Sequence, residues 1–255
     1  MSKKKSAASR SAASRAAAER AAAIRAEQTR RERRRQLLIG GAVLLVGALL
    51  VGLFVWWQSG TEDTGKPSTP PAGASQTYAV GYGAEDAPMT VEVYSDFLCP
   101  VCGAFEAEMN DELTAAADAG DLRLEIFPVA ILDRSSETQF PRRAANAMAV
   151  VLDTTGAEEA KAFHDLLFAQ QPTEGGAGEP TDDELVALAV EAGAEESAVR
   201  PGIEDLQFEQ WVVDATADFS DKGFTGTPTV VVDGEQLGGE TLAEVIATLR
   251  DRIGS

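Results

Sequence analysis

The chain has 255 residues and a formal net charge of −19, and its only two cysteines are Cys99 and Cys102, which excludes a framework of structural disulfides. Charge is polarised: twelve of the 22 basic but three of the 41 acidic side chains precede position 37, so the remainder carries 10 basic against 38 acidic groups, a net of about −28. A segment that acidic repels phosphates, which excludes nucleic acid as its partner.

Residues 1–36 form a basic arm with arginines at 10, 15, 20, 25, 30 and 35. A five-residue step advances about 140° beyond a full helical turn, so these arginines spiral instead of making one membrane-lying face. The arm reads as a solvated topology determinant; binding of anionic headgroups is the other role its charge allows. Residues 37–57 are 21 uncharged residues ending in Trp56 and Trp57, long enough to cross a bilayer as one helix. The basic flank places the N-terminus in the cytoplasm and the rest of the chain outside. This predicts an uncleaved signal anchor and a single-pass cell-membrane protein; a cleaved signal peptide after the Arg34-Arg35 pair is the alternative. Residues 58–77, rich in Gly, Pro, Ser and Thr, read as a flexible tether.

One α/β domain is expected over 78–255. Runs 89–94 and 122–127 read as buried strands on either side of a helix that starts near Cys99, a βαβ unit with parallel strands. From about 139 to 221 the pattern turns to Ala- and Glu-rich helical stretches, among them 143–152, 158–169 and 182–192, broken by a glycine loop at 175–178. His164 and Trp211 fall there and read as packing or surface residues. A strand at 229–232, a turn at Asp233-Gly234 and a helix at 241–252 close the domain. Gly81-Tyr82-Gly83 lacks the context of a phosphate-binding loop, and no flavin or nucleotide motif is visible.

The chemistry sits in Cys99-Pro100-Val101-Cys102. A Cys-x-x-Cys after a strand and at the start of a helix is the setting of a redox dithiol. Unpaired N–H groups and the positive end of the helix dipole favour a thiolate on the first cysteine. Cys99 is therefore the expected nucleophile, and Cys102, one turn on, the resolving thiol. Half of a zinc site and two inert buried thiols are the other readings of the pair. Asp96, three residues before Cys99, reads either as a proton relay to Cys102 or as a turn or helix cap. Pro228 opens the β-branched run 229–232, where proline is tolerated as a first strand residue.

From about position 81 to 252 the sequence resembles the DsbA-like branch of the thioredoxin-fold disulfide oxidoreductases, particularly the membrane-anchored bacterial ones. The run from Val91 through Asp96 to Cys102 is similar to that branch's strand and motif. The run from Gly223 through Thr227-Pro228 to Gly234 resembles its cis-proline segment, and Gly238-Gly239 with the helix that follows resembles its closing element. The resemblance implies a thioredoxin-like fold with a helical insertion and a cis Thr227-Pro228 bond lying against Cys99, with Thr227 free to pair with an extended substrate. It also implies disulfide formation in exported cysteine-containing polypeptides, with no bound cofactor beyond the Cys99-Cys102 disulfide, and a membrane quinone-coupled oxidase as redox partner. Strong oxidants of this branch often have a histidine between the cysteines. Here Pro100 and Val101 stand there, so only the helix terminus and local backbone are expected to stabilise Cys99. A reductase or isomerase, and a non-catalytic chaperone or metal-binding module, are the alternatives.

Overall fold

The computed structural model describes residues 64–175 and 178–254. Five strands form one mixed sheet in the order β1-β3-β2-β4-β5: β1 (Val80–Tyr82), β2 (Thr90–Ser95), β3 (Arg123–Pro128), β4 (Thr229–Val232) and β5 (Glu235–Gln236). Central β2 runs parallel to β3, with Val93 beside Ile126, and antiparallel to β4, with Val93 beside Val230. Parallel neighbours need a crossover, and helix α1 (Pro100–Ala119) supplies it. Gly120, at φ 79°, ends α1 by turning its N–H back to the Ala117 carbonyl at 3.0 Å.

Between β3 and β4 lie α2 (Phe140–Thr155), α3 (Ala157–Ala169), α4 (Asp182–Glu191), α5 (Glu196–Glu204) and α6 (Glu209–Asp221); α7 (Leu242–Ile253) follows β5. Side chains alternate across the strands. Val91 and Val93 join Phe105, Met109 and Leu113 of α1 in the main core, while Tyr94 belongs to a smaller cluster with Phe127, Phe219 and Val231. Tyr94 stacks on Phe127 at 4.2 Å between centroids, a pairing that adds about 0.5–1.5 kcal/mol beyond burial. α2 is buried along most of its length and carries the helical unit, with α3, α4, α5 and α6 packed around it.

Three features depart from the sequence-based expectation. The sequence pattern singles out no helix at 196–204, because Pro201 and Gly202 both disfavour helix interiors. α5 forms there because Gly202 lets it close on α2, where an added Cβ would lie 2.9 Å from a Val150 methyl. The short edge strands β1 and β5 also carry no sequence signal, since three and two residues are too few for periodicity.

The third concerns the tether expected at 58–77. Its described part is seated on the helices: the Thr64 N–H and hydroxyl donate to Gln210 Oε1 at 2.8 and 2.7 Å, Lys66 Nζ donates to the Asp205 carbonyl at 2.6 Å and pairs with Glu209, and the Ala72 N–H donates to Asp153 at 2.7 Å. Composition foretold the lack of regular structure but not these long-range partners. The basic arm, the expected span 37–57 and residues 58–63 lie outside the described residues. Among the described residues no helix is long and apolar enough to cross a membrane.

Asn146, fully buried on α2, ties the unit together by donating to the Gly202 carbonyl at 3.2 Å and accepting the Phe208 N–H at 2.7 Å. Asn146→Ala strands both main-chain groups in the core and is expected to cost about 2–4 kcal/mol, read as a lower urea midpoint at unchanged slope.

Candidate active site

The site grows from the short loop between β2 and α1. Asp96 organises it: its Oδ1 accepts the Leu98 N–H at 2.8 Å, its Oδ2 accepts the Leu132 N–H at 2.9 Å, and its carbonyl accepts the Cys99 N–H at 3.0 Å. Phe97 and Leu98 are buried beneath the loop. Cys99 is itself the N-cap of α1, in extended conformation with no side-chain cap, and Pro100 occupies the first helical turn, where its missing N–H is no loss. The first-turn N–H groups of Val101 and Cys102 are thus left for the Cys99 sulfur.

From the other side comes the segment before β4. The Thr227-Pro228 peptide bond is cis, and the Cys99 thiol donates to the Thr227 carbonyl at 3.4 Å. Cys102 is fully buried, Cys99 is 7% exposed, and both are free thiols. Val101, at 46% exposed, presents an apolar surface beside the pair.

These surroundings split the two thiols. The Cys102 thiol donating to the Cys99 sulfur is the largest influence lowering the Cys99 pKa, to about 6; burial opposes it, while the Thr227 side chain and the Cys102 and Val101 N–H groups assist. The Cys102 pKa is driven far up, first by burial and then by the neighbouring Cys99. The helix start is therefore one contributor among several. The expectation that only backbone and helix terminus stabilise Cys99 overlooks the Cys102 thiol and Thr227. Burial also raises Asp96 to about 7, against the two N–H donors that favour its charge, and the nearby Cys99 adds to the rise. Asp96 is a turn-forming group by its hydrogen bonds and a titratable one by its burial.

Sequence reasoning overlooks two further groups. Glu106, one turn after Cys102 on the buried face of α1, has its pKa raised by burial and opposed by His164 and Lys161. His164 Nε2 lies 3.7 Å from Glu106, and Lys161 Nζ binds Asn110 at 2.8 Å and Asp165 at 2.7 Å, making a buried polar cluster between α1 and α3. Glu106 was discoverable, since it interrupts the otherwise apolar stripe of Cys102, Phe105, Met109 and Leu113. Gln171, whose carboxamide reaches the loop carbonyls of Phe97 and Cys99, carries no local signal. His164 and Trp211 are both buried; the Trp211 indole N–H donates to the Thr77 carbonyl at 2.9 Å.

Residues 75–251 match the family model described as Thioredoxin. The chain belongs to the thioredoxin family. Within it, the fold is that of the DsbA-type thiol-disulfide oxidoreductases. The chain is 30% identical to the reduced disulfide bond oxidoreductase DsbG from Mycobacterium tuberculosis, covering 71% of this chain and 90% of that one with a TM-score of 0.60. Reduced DsbA from Mycobacterium tuberculosis is 29% identical over 69% of this chain and 93% of its own, with a TM-score of 0.58. Among curated proteins, the serine/threonine-protein kinase PknE of Mycobacterium tuberculosis is 29% identical over 120 residues, 46% of this chain and 21% of the kinase. The chain thus spans about a fifth of that relative's length.

The native state depresses the Cys99 pKa, so Cys99 contributes stability to the reduced protein that builds as pH rises from about 6 toward the ordinary value of 9.0 and is lost as pH falls back through 6. Iodoacetamide alkylation of Cys99 is expected to show a midpoint near pH 6, with a second, smaller inflection near pH 7 from Asp96. Asp96→Asn removes the second inflection; an identical profile in that variant contradicts the coupling.

Proposed function

We propose that this protein forms disulfide bonds in exported polypeptides by dithiol–disulfide exchange at Cys99 and Cys102. In the oxidised enzyme, a substrate thiolate attacks the Cys99 sulfur; the Cys99–Cys102 bond breaks, and Cys102 leaves with the electron pair and takes a proton. A second substrate thiolate then attacks the substrate sulfur of the mixed disulfide, and Cys99 leaves as a thiolate. The substrate loses two electrons and the enzyme pair gains them.

The observation that carries this direction is the asymmetry of the thiols. A sulfur whose pKa is lowered to about 6 is the better leaving group, which favours release of an oxidised substrate. Thr227, with its main chain beside Cys99, is the proposed pairing edge for an extended substrate, which recognises peptide backbone more than sequence. Pro228 fixes that edge. The similarity to the mycobacterial DsbG and DsbA structures supports an oxidoreductase. Re-oxidation calls for a membrane quinone-coupled oxidase, and residues 37–57 are proposed to anchor the domain outside the cytoplasm within its reach. No bound cofactor is invoked beyond the disulfide itself.

A reductase or isomerase is the second reading. Pro100 and Val101 favour it, because neither brings a charge or a side-chain donor to the thiolate.

The test is oxidative refolding of a reduced, cysteine-containing polypeptide by the full chain. Cys99→Ser is expected to return the rate to that of the uncatalysed reaction, and Cys102→Ala to accumulate a mixed disulfide through Cys99. Rapid oxidation of dithiol substrates supports the oxidase. Activity confined to reshuffling or reducing existing disulfides supports the second reading. Substrate handling that survives Cys99→Ser rejects both.

A further inference from the structure

Cys99 presents a structural problem. It stands at the N-cap of α1, but its side chain is the reacting group and makes no cap. Its conformation must be held by other residues. Asp96 holds the chain from the β2 side. From the helical unit comes Gln171, two residues beyond the end of α3. Its Nε2 donates to the Phe97 carbonyl at 3.0 Å and the Cys99 carbonyl at 2.9 Å, one bond for each of its two hydrogens. The Cys99 carbonyl also accepts the Gly103 N–H at 3.1 Å, the first bond of the helix, so both of its lone pairs are engaged. The same end of α3 packs on the loop through Phe168 and His164, whose rings lie 5.2 and 5.8 Å from that of Phe97.

A second, independent observation comes from Gly103. Glycine in the first turns of a long helix is disfavoured relative to alanine, and Gly103 has no left-handed φ to require it. A Cβ at this position would overlap the Gln171 carboxamide oxygen and lie 3.1 Å from its Cδ. The missing side chain at 103 is the space the Gln171 carboxamide occupies.

We infer that Gln171 is a positioning residue for the redox pair: by bridging the Phe97 and Cys99 carbonyls it fixes the turn that starts α1, and so sets how strongly the helix start stabilises the Cys99 thiolate. Gln171 touches neither sulfur in this role. Two N–H donors on the loop carbonyls also draw negative charge away from the thiolate's surroundings, which a water or an apolar side chain would not do in a fixed direction. The helical unit between β3 and β4 is thereby coupled to the chemistry of the thioredoxin core. The inference rests on Cys99 as the exchanging thiol and is indifferent to whether exchange runs toward oxidation or reduction.

The experiment uses the full chain with Gln171→Ala, Gln171→Glu, Gly103→Ala and the double variant Gly103→Ala/Gln171→Ala. The pH dependence of Cys99 alkylation and the equilibrium with glutathione are read for each. Gln171→Glu keeps the size but replaces the donor by an acceptor. Gln171→Ala and Gln171→Glu are expected to raise the Cys99 midpoint by about one unit. They should shift the glutathione equilibrium about tenfold toward the disulfide, equivalent to ~30 mV. Gly103→Ala is expected to reproduce the shift, since the new methyl displaces the carboxamide even though alanine is the better helix former. The double variant should shift no further than Gln171→Ala, because the group displaced is already gone.

Folded Gln171 variants with the wild-type midpoint and equilibrium overturn the inference. Should those variants fail to fold, Gly103→Ala decides: a shifted midpoint supports the role, and a wild-type midpoint with a higher melting temperature overturns it. A full chain that oxidises no thiol substrate, but whose midpoint shifts in Gln171→Glu, removes the oxidase reading and supports the positioning role.

Discussion

The structure depends on one placement: a cysteine at the cap of a helix with a threonine carbonyl 3.4 Å from its sulfur. Central β2 delivers the chain to that point between two neighbours. β3, parallel, requires the crossover that α1 provides, and β4, antiparallel, carries Thr227 and Pro228 at its entrance. Because the nucleophile follows one central strand and the threonine precedes its neighbour, the register Tyr94 opposite Thr229 brings together groups that lie 128 residues apart in the chain.

Burial then differentiates the two sulfurs. The same apolar stripe that seats α1 on the sheet encloses Cys102 completely and suppresses its ionisation, whereas Cys99, at the rim, draws donors from Cys102, the Thr227 side chain and the helix start. Charged groups near the pair are admitted only with partners. Asp96 accepts two main-chain N–H groups, and Glu106 lies against His164 and Lys161. Ionised groups are costly in such surroundings, so the site holds its carboxyls closer to neutrality than exposed ones.

Much of this was legible in the sequence because it is encoded locally. Cys99-Pro100-Val101-Cys102 after a hydrophobic run marks a strand, a helix start and a reactive pair within a few residues, and the buried runs near 89–94, 122–127 and 229–232 mark the central strands. What the sequence hid is non-local. Gln171 lies in a stretch with no motif, and its role follows from where α3 ends. Gly103 reads as an unremarkable glycine until the carboxamide beside it is seen. α5 contradicts local propensity at Pro201 and Gly202, and packing against Val150 overrides it. The seated segment from Thr64 to Ala72 has no periodicity, and its order comes from partners such as Asp153 and Gln210.

The central claim is that this site stabilises its reduced form through the Cys99 thiolate. Equilibrating the pair with defined ratios of glutathione and its disulfide measures this directly. A reduction potential some tens of millivolts above that of thioredoxin, about −270 mV, in the direction of that of DsbA, about −120 mV, is the result the account predicts. A potential at or below that of thioredoxin would contradict it, because the donors around Cys99 would then confer no added preference for the dithiol.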